Sequence, residues 1–466
     1  MAAAFLAGHG INLDEEMSKI QFAGDGRRPE AHLGQPTLSK ISGVRLPHKP
    51  SNTLWDISIS QGCISAIEPH HASHASTSQL PGVLDATARL LASSLCHAHI
   101  HLDKCFLLQD PNYGDLQTTE GSFEEAMSLT STAKGRFTEE DLLRRGRQLV
   151  EESIAFGVTH MRAFAEIDEV VGCACLDASL QLKDEFAGRC DIQVCAFAQL
   201  ALFSEGCETN HSLMERASTM AGVDVLGSTP YVESDPDKMK KNIETVTRLA
   251  LRYKKHLDFH LDYSLDREKE PMVWHVLNCL KETQWLKNAE GRRVTLGHCT
   301  RLSLFTPEEW RKLKREIGDL PVSFVGLPTS DLFMMRTKTR ARGTLRVPEL
   351  IKDYGIRAAV GVNNVGNWFT PQGSCDPLSV ASLGVAVYQD GTQEGADLLY
   401  ECVSSRAKDA VGFENTTLDL NIGEPADFVI FGREQVEWRT RRSVMNIVYD
   451  AGHSRRQTVK RGMLVY

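Results

Sequence analysis

The sequence predicts an α/β fold: a closed (β/α)8 TIM-type barrel with a small β-sandwich-like accessory domain built from the N- and C-terminal segments. Three observations predict it. Strand-like and helix-like segments alternate through the middle of the chain, the pattern of a parallel sheet that closes on itself when enough units follow one another. Short strands with turn signals flank that middle on both sides. The chain of 466 residues is too long for one minimal core. The boundaries that follow are a loose arm at 1–35, an accessory domain at 36–90 plus 418–466, and a barrel at 91–417.

Taken in order, residues 1–35 carry Gly, Asp, Arg and Pro without periodicity, hence the arm. Lys40–Leu46, Leu54–Ile59 and, after the Gln61-Gly62 turn, Cys63–Ile67 read as strands. His70, His71 and His74 sit among Ser, Thr and Gln and read as a solvated loop. Leu90–Leu95 is a small-apolar run that leads into a histidine-rich strand. Residues 107–137 read as a long connection of the kind that covers a barrel mouth. Asp141–Phe156 repeats apolar residues at helical spacing, and Gly157–Phe164 is the next strand. Further strands are expected at Cys190–Phe197, Val223–Gly227, His256–Tyr263, Val294–His298, Val322–Leu327 and Arg357–Val362. Asp235-Pro236-Asp237 opens a helix to about Lys254, with proline in an early, permitted position. Pro425–Phe431 and Val444–Val448 read as strands that complete the small sheet begun near Lys40.

Composition narrows the function. The apolar fraction of 42% and charged fraction of 24% suit a soluble globule. Lys and Arg number 52 against 61 Asp and Glu, a net charge of −9, without basic runs. That balance argues against nucleic acid or a membrane surface as partner. No apolar run reaches the ~20 residues of a spanning helix, and the first ten residues lack the basic start of a secretory signal. The 12 cysteines are scattered with no Cys-x-x-Cys pair, which reads as reduced thiols in a cytoplasmic protein.

The stretch that organises the rest is Cys96-His97-Ala98-His99-Ile100-His101-Leu102-Asp103-Lys104. On an extended strand alternate side chains share a face, so His97, His99, His101 and Asp103 point one way. Imidazoles at i and i+2 can converge on one divalent ion through neutral ring nitrogens. At the C-terminal ends of the later strands stand Gln199, His260, His298 and Asn363. In a barrel these positions face one mouth, where such folds place chemistry.

The run His99-Ile100-His101-Leu102-Asp103-Lys104 resembles the first-strand signature of the amidohydrolase superfamily, in its cytosine-deaminase-like branch. The resemblance extends from about Ser39 to the C-terminus. Phe197-Ala198-Gln199 is similar to the branch's substrate-amide glutamine segment, Phe259–Asp262 to its His-x-Asp-Glu strand, and Gly297–Thr300 to its catalytic-histidine strand. Arg342–Val347 with Gly361–Val365 and Pro371–Gly373 is similar to its last strand, and Gly423–Asp427 to its tail motif. The resemblance implies one divalent ion per subunit, zinc or iron, on His99, His101 and His260, with substrate contacts at Gln199 and Tyr263 and His298 in catalysis. Two departures stand out. The branch carries a metal-binding, proton-accepting aspartate where this chain has Asn363, and a proton-donating glutamate where it has Tyr263. Asp262, on the face of His260 if the strand stays regular, is the preferred substitute carboxylate; the alternative is a partner that holds a histidine ring.

The expected function is hydrolysis of a C–N bond in a cyclic amide, amidine or aminoheterocycle by metal-activated water. The alternative is a non-hydrolytic descendant that keeps the metal pocket for binding, regulation or a lyase or isomerase step in a biosynthetic pathway. An empty-barrel scaffold ranks last. The expected partner is a small molecule; Phe333, Met334, Met335 and Trp368 read either as an apolar wall against it or as core, and a homo-oligomer is compatible with the sequence.

Overall fold

Short alternating strands build the first layer. The computed structural model describes residues 36–71, 81–335, 342–432, 441–453 and 455–466, so the expected arm at 1–35 and His74 lie outside the described residues. β1 (Lys40–Val44), β2 (Trp55–Ser60), β3 (Cys63–Pro69) and β4 (Val83–Asp85) form one sheet in the order β3-β2-β1-β4. β5 (Leu90–Ser93) belongs to a second small sheet.

The barrel strands are β6 (Leu95–His101), β7 (Val158–Glu166), β8 (Asp191–Ala198), β9 (Val223–Ser228), β10 (His256–Leu261), β11 (Val294–His298), β12 (Val322–Gly326) and β13 (Ala358–Val360). They form one parallel sheet in chain order. Covered on both faces, they are buried almost throughout, which is why they read as apolar runs. The seam is closed by Asn363, whose N–H donates to the His99 carbonyl (3.0 Å) while its carbonyl accepts from the His101 N–H (2.8 Å). First and last strands are therefore stitched together at the histidine pair itself. Inside the barrel Arg162 donates to Asp258 (2.9 Å), Gln193 (3.0 and 3.1 Å) and the Val411 carbonyl (3.0 Å). A buried guanidinium is tolerable when its N–H groups meet oxygens.

Two expectations are corrected. The connection at 107–137 holds two short 3₁₀ helices, Leu107–Gln109 and Pro111–Tyr113, and then helix α1 (Phe123–Lys134). Ser122 caps α1 by accepting from the Glu125 N–H (3.1 Å), and the Glu125 carboxylate accepts from the amides of Thr119, Glu120 and Gly121. The Ser-x-x-Glu pattern is a helix-start signal that the polar composition of the stretch obscured. Helix α2 (Glu139–Ala155) follows, capped by Thr138. Secondly, Val444–Val448 lies in a helix, Val444–Tyr449, whose first turn is capped when Ser443 accepts from the Asn446 N–H (3.2 Å). Its β-branched residues are there because Val444, Ile447 and Val448 pack into the core, which overrides their local preference.

The second small sheet consists instead of β14 (Phe428–Phe431), β15 (Arg456–Lys460) and β16 (Met463–Leu464) with β5, in the order β16-β15-β14-β5. Ile41, Val44, Ile57 and Ile64 of the first sheet share a core with Leu91, Phe428, Ile430 and Val459 of the second. We propose this pair of sheets as the accessory domain, 36–90 plus 418–466, which the pairing of β5 with β14 carries on to Ser93. Among the described residues no helix is long and apolar enough to cross a membrane.

At the end of the barrel away from the histidines, His256 opens β10 and accepts from the Arg293 N–H at Nδ1 (3.0 Å). Burial holds its pKa down to about 3, aided by Arg162, Arg292 and Arg293. A histidine depressed on folding is protonated first in the unfolded chain. Its stability contribution is thus complete above about pH 6.5 and is lost as pH falls toward 3. Between pH 6.5 and 4.5 the wild type is expected to lose about 2–3 kcal/mol more than His256→Gln in urea titrations.

Candidate active site

Strand β6 delivers His99 and His101 to one mouth of the barrel. His97 does not join them. The pairing of β6 with β7 shifts register between His97 and Ile100, and the His97 ring turns to Ser153 on α2 (Nε2 to Oγ 3.1 Å). His260, at the end of β10, is the hub: its Nε2 lies 3.1 Å from that of His99 and 3.2 Å from that of His101. Two ligands on one tetrahedral ion with ~2.0–2.1 Å bonds stand about 3.3–3.4 Å apart. His298, at the end of β11, brings a ring nitrogen within 4.8 Å of those of His99 and His260. His99, His260 and His298 therefore form one group close enough to hold an ion, and His101 reaches it through His260, so His298 can enter the ligand set that the sequence confined to three.

Burial, and then the positive neighbours, push His99, His101 and His260 well below the ordinary histidine value. Neutral rings with free lone pairs are the form that binds metal. Asn363 pulls the other way on His99. Its Nδ2 donates to Ser330 Oγ (2.8 Å), and its buried Oδ1, turned to the His99 ring, makes no hydrogen bond of good geometry. Neutral imidazoles at ligand spacing, with a buried amide oxygen beside them, fit a divalent cation.

Asp262 is corrected by the backbone. β10 ends at Leu261, and Asp262 takes a left-handed conformation (φ 51°), so the strand alternation assumed for it fails. Its carboxylate accepts from the N–H groups of Met272 (2.7 Å) and Val273 (3.1 Å) at the start of the helix Val273–Glu282 and does not line the cavity. Burial pushes it up to about 7 against those two bonds.

A carboxylate does reach the histidines from an unforeseen place. Asp331, on the helix Pro328–Met334, lies with Oδ1 2.8 Å from His298 Nδ1, and its Oδ2 accepts from Thr344 Oγ1 (2.7 Å). Burial raises its pKa, with His298 and Thr344 opposing. Reading strand ends misses it, because it stands on the helix beyond the end of β12.

The cavity at this mouth has a volume of about 20 Å³, room for one water. His101, Gln199, His260, His298, Asn363 and Tyr263 line it as expected, and Lys104 and Tyr231 join them. Phe123, Met334 and Phe369 also line it. Of the expected wall only Met334 serves; Trp368 is buried, its indole donating to the Leu116 carbonyl (3.1 Å). The Tyr263 ring lies 4.4 Å from that of His298, and burial, with Asp331 and Tyr231 adding, pushes its phenol well above the usual value. A phenol raised in this way is a weaker acid than an ordinary tyrosine. A larger cavity, about 610 Å³, lies among Lys183, Asp191, Asp224, Lys255 and Arg292 and touches none of these histidines.

No known family profile matches the chain. It is 22% identical over 359 residues to N-isopropylammelide isopropyl amidohydrolase of Pseudomonas sp. (strain ADP), covering 76% of this chain and 83% of that protein. The fold is similar to that of 5-methylcytosine deaminase from Klebsiella pneumoniae (TM-score 0.77, 22% identity, 92% of this chain and 97% of that one). It is also similar to N-isopropylammelide isopropylaminohydrolase from Burkholderia multivorans (TM-score 0.72, 22% identity, 92% and 98%). A parallel barrel with histidines gathered where its strands end defines a class, the barrels able to hold a metal ion. Within that class the chain is similar in sequence to the Pseudomonas amidohydrolase and in fold to the Klebsiella and Burkholderia enzymes.

Proposed function

We propose that the protein is a metal-dependent hydrolase of the cytosine-deaminase-like branch, which cleaves a C–N bond of a cyclic amide, amidine or aminoheterocycle. The observation that carries this is the ligand spacing of His260 to both His99 and His101, beside a cavity that His101, His260, Gln199 and His298 line. His99, His101 and His260, with Asn363 Oδ1 beside them, would hold one zinc or iron ion per subunit. Such an ion supplies Lewis acidity, which lowers the pKa of water and polarises an acceptor oxygen.

The remaining work falls to side chains. His298 gives its Nδ1 side to Asp331, so Nε2 is the nitrogen left for the substrate. There it takes a proton from the attacking water and returns it to the nitrogen that leaves, in place of the branch's two carboxylates. Gln199 orients the ring amide. Phe123, Met334 and Phe369 exclude water, which strengthens every polar contact inside. A cavity of about 20 Å³ admits no heterocycle, so this roof lifts for the substrate to enter. Twelve free thiols support a reducing, cytoplasmic setting.

Purified protein assayed for metal and for turnover on lactams, cyclic amidines and aminoheterocycles tests the proposal. About one ion per chain with turnover of at least one compound supports it; metal-loaded protein that hydrolyses none contradicts it. One observation favours the non-hydrolytic reading: among the described residues no carboxylate lines the cavity. On that reading Asn363→Asp combined with Tyr263→Glu creates or greatly raises deaminase activity, and a fall in an existing activity refutes it.

A further inference from the structure

Beside Gln199, Lys104 lines the cavity and opens a set of charges that hydrolysis as described does not use. Lys104, its side chain 3% exposed, donates through Nζ to Glu166 Oε1 (2.5 Å) and to Gln199 Oε1 (3.4 Å), and lies 5.0 Å from the Phe369 ring. The other Glu166 oxygen accepts from Lys134 Nζ (2.5 Å), which also pairs with Asp168. The Glu166 N–H donates to Asp103 Oδ2 (2.7 Å). Lys134 ends α1, the helix whose first residue, Phe123, lines the cavity. Sealing four ionised side chains away from water is a poor route to stability, and buried ion pairs are better attested as devices that fix one arrangement.

The arrangement at stake is the Gln199 amide. Its two ends are nearly isosteric, and only its partners decide which way it turns. An ammonium group donates and never accepts, so the atom that faces Lys104 is the oxygen. The nitrogen then turns to the Tyr231 phenol, which Gln199 also hydrogen-bonds, and to the cavity. We propose that Lys104, held in place by Glu166, is a positioning residue that fixes Gln199 so that its N–H groups, and not its carbonyl, meet the substrate. This rests on the proposed function in one respect, that Gln199 faces the bound ring. The ring edge beside Gln199 then carries an acceptor, and an amino group at the same position is rejected.

Full-length, metal-loaded protein is titrated calorimetrically with 2-pyrimidinone and with 2-aminopyrimidine, rings of equal size that differ in an oxo acceptor against an amino donor. The wild type is expected to prefer the oxo ring about tenfold or more, since a mismatched buried donor is left unpaired. Lys104→Met is expected to shrink the preference below about threefold and Lys104→Arg, still a pure donor, to restore it. Restoration is a result that a merely structural lysine would not give in a ratio of two ligands. Because Lys104 also lines the cavity, Gln199→Glu, acceptor-only beside an intact Lys104, is measured in every case and is expected to reverse the preference, which a lysine that met the oxo group itself would not allow. No preference in the wild type, binding of neither ring, or a preference that survives in Lys104→Met or in Gln199→Glu overturns the proposal. Because binding is read rather than turnover, a protein that discriminates but hydrolyses nothing sinks the proposed function alone. One that turns over substrate without discriminating sinks only the role of Lys104.

Discussion

His260→Ala is expected to lose bound metal and hydrolysis together. The Nε2 of His260 is the atom within 3.1–3.2 Å of both other nitrogens, so its removal leaves His99 and His101 without the partner that joins them. Outer partners of metal ligands already cost about 10–100-fold in affinity or activity, and a ligand itself costs at least as much. Metal content after dialysis and kcat/KM are therefore expected to fall by more than about 100-fold. The ring also packs on Phe164 and Phe197 (centroids 4.9 and 4.2 Å), so some stability is lost as well. A folded variant that keeps its metal at the wild-type level would remove His260 from the ligand set.

The second large effect falls on Asp331. Thr344 donates to one of its oxygens and His298 Nδ1 faces the other. In Asp331→Asn an NH2 group must replace one of these oxygens. If it faces His298, it forces the proton from Nδ1 to Nε2, and the imidazole can no longer accept a proton where the substrate sits. Loss of a positioned acid–base group lowers kcat by about 10²–10⁴-fold. KM is expected to change little, since Asp331 does not line the cavity, and unchanged metal content marks His298 as a proton carrier and not a ligand. Activity within about threefold of wild type would leave Asp331 a structural residue.

What the sequence revealed of this site, and what it hid, follows from the range of the interactions. His99 and His101 were legible because strand alternation is a local rule, and so were the ends of β8, β10 and β11, which supply Gln199, His260 and His298. The same rule failed at two places for backbone reasons. A register shift rotates His97 out of line, and a left-handed residue at 262 swings its carboxylate to a helix start. Asp331, and the set formed by Lys104, Lys134, Glu166 and Asp168, were not legible. Their meaning lies in partners 32 to 62 residues apart, and no local spacing encodes that. Asn363 reads differently once the fold is known: whatever its side chain does, its backbone closes the barrel.

Anomalous diffraction from crystals of the zinc-loaded protein tests the central claim most directly. One peak is expected per chain, among the Nε2 atoms of His99, His101 and His260. A peak elsewhere, or none at that point at full zinc occupancy in solution, would contradict it.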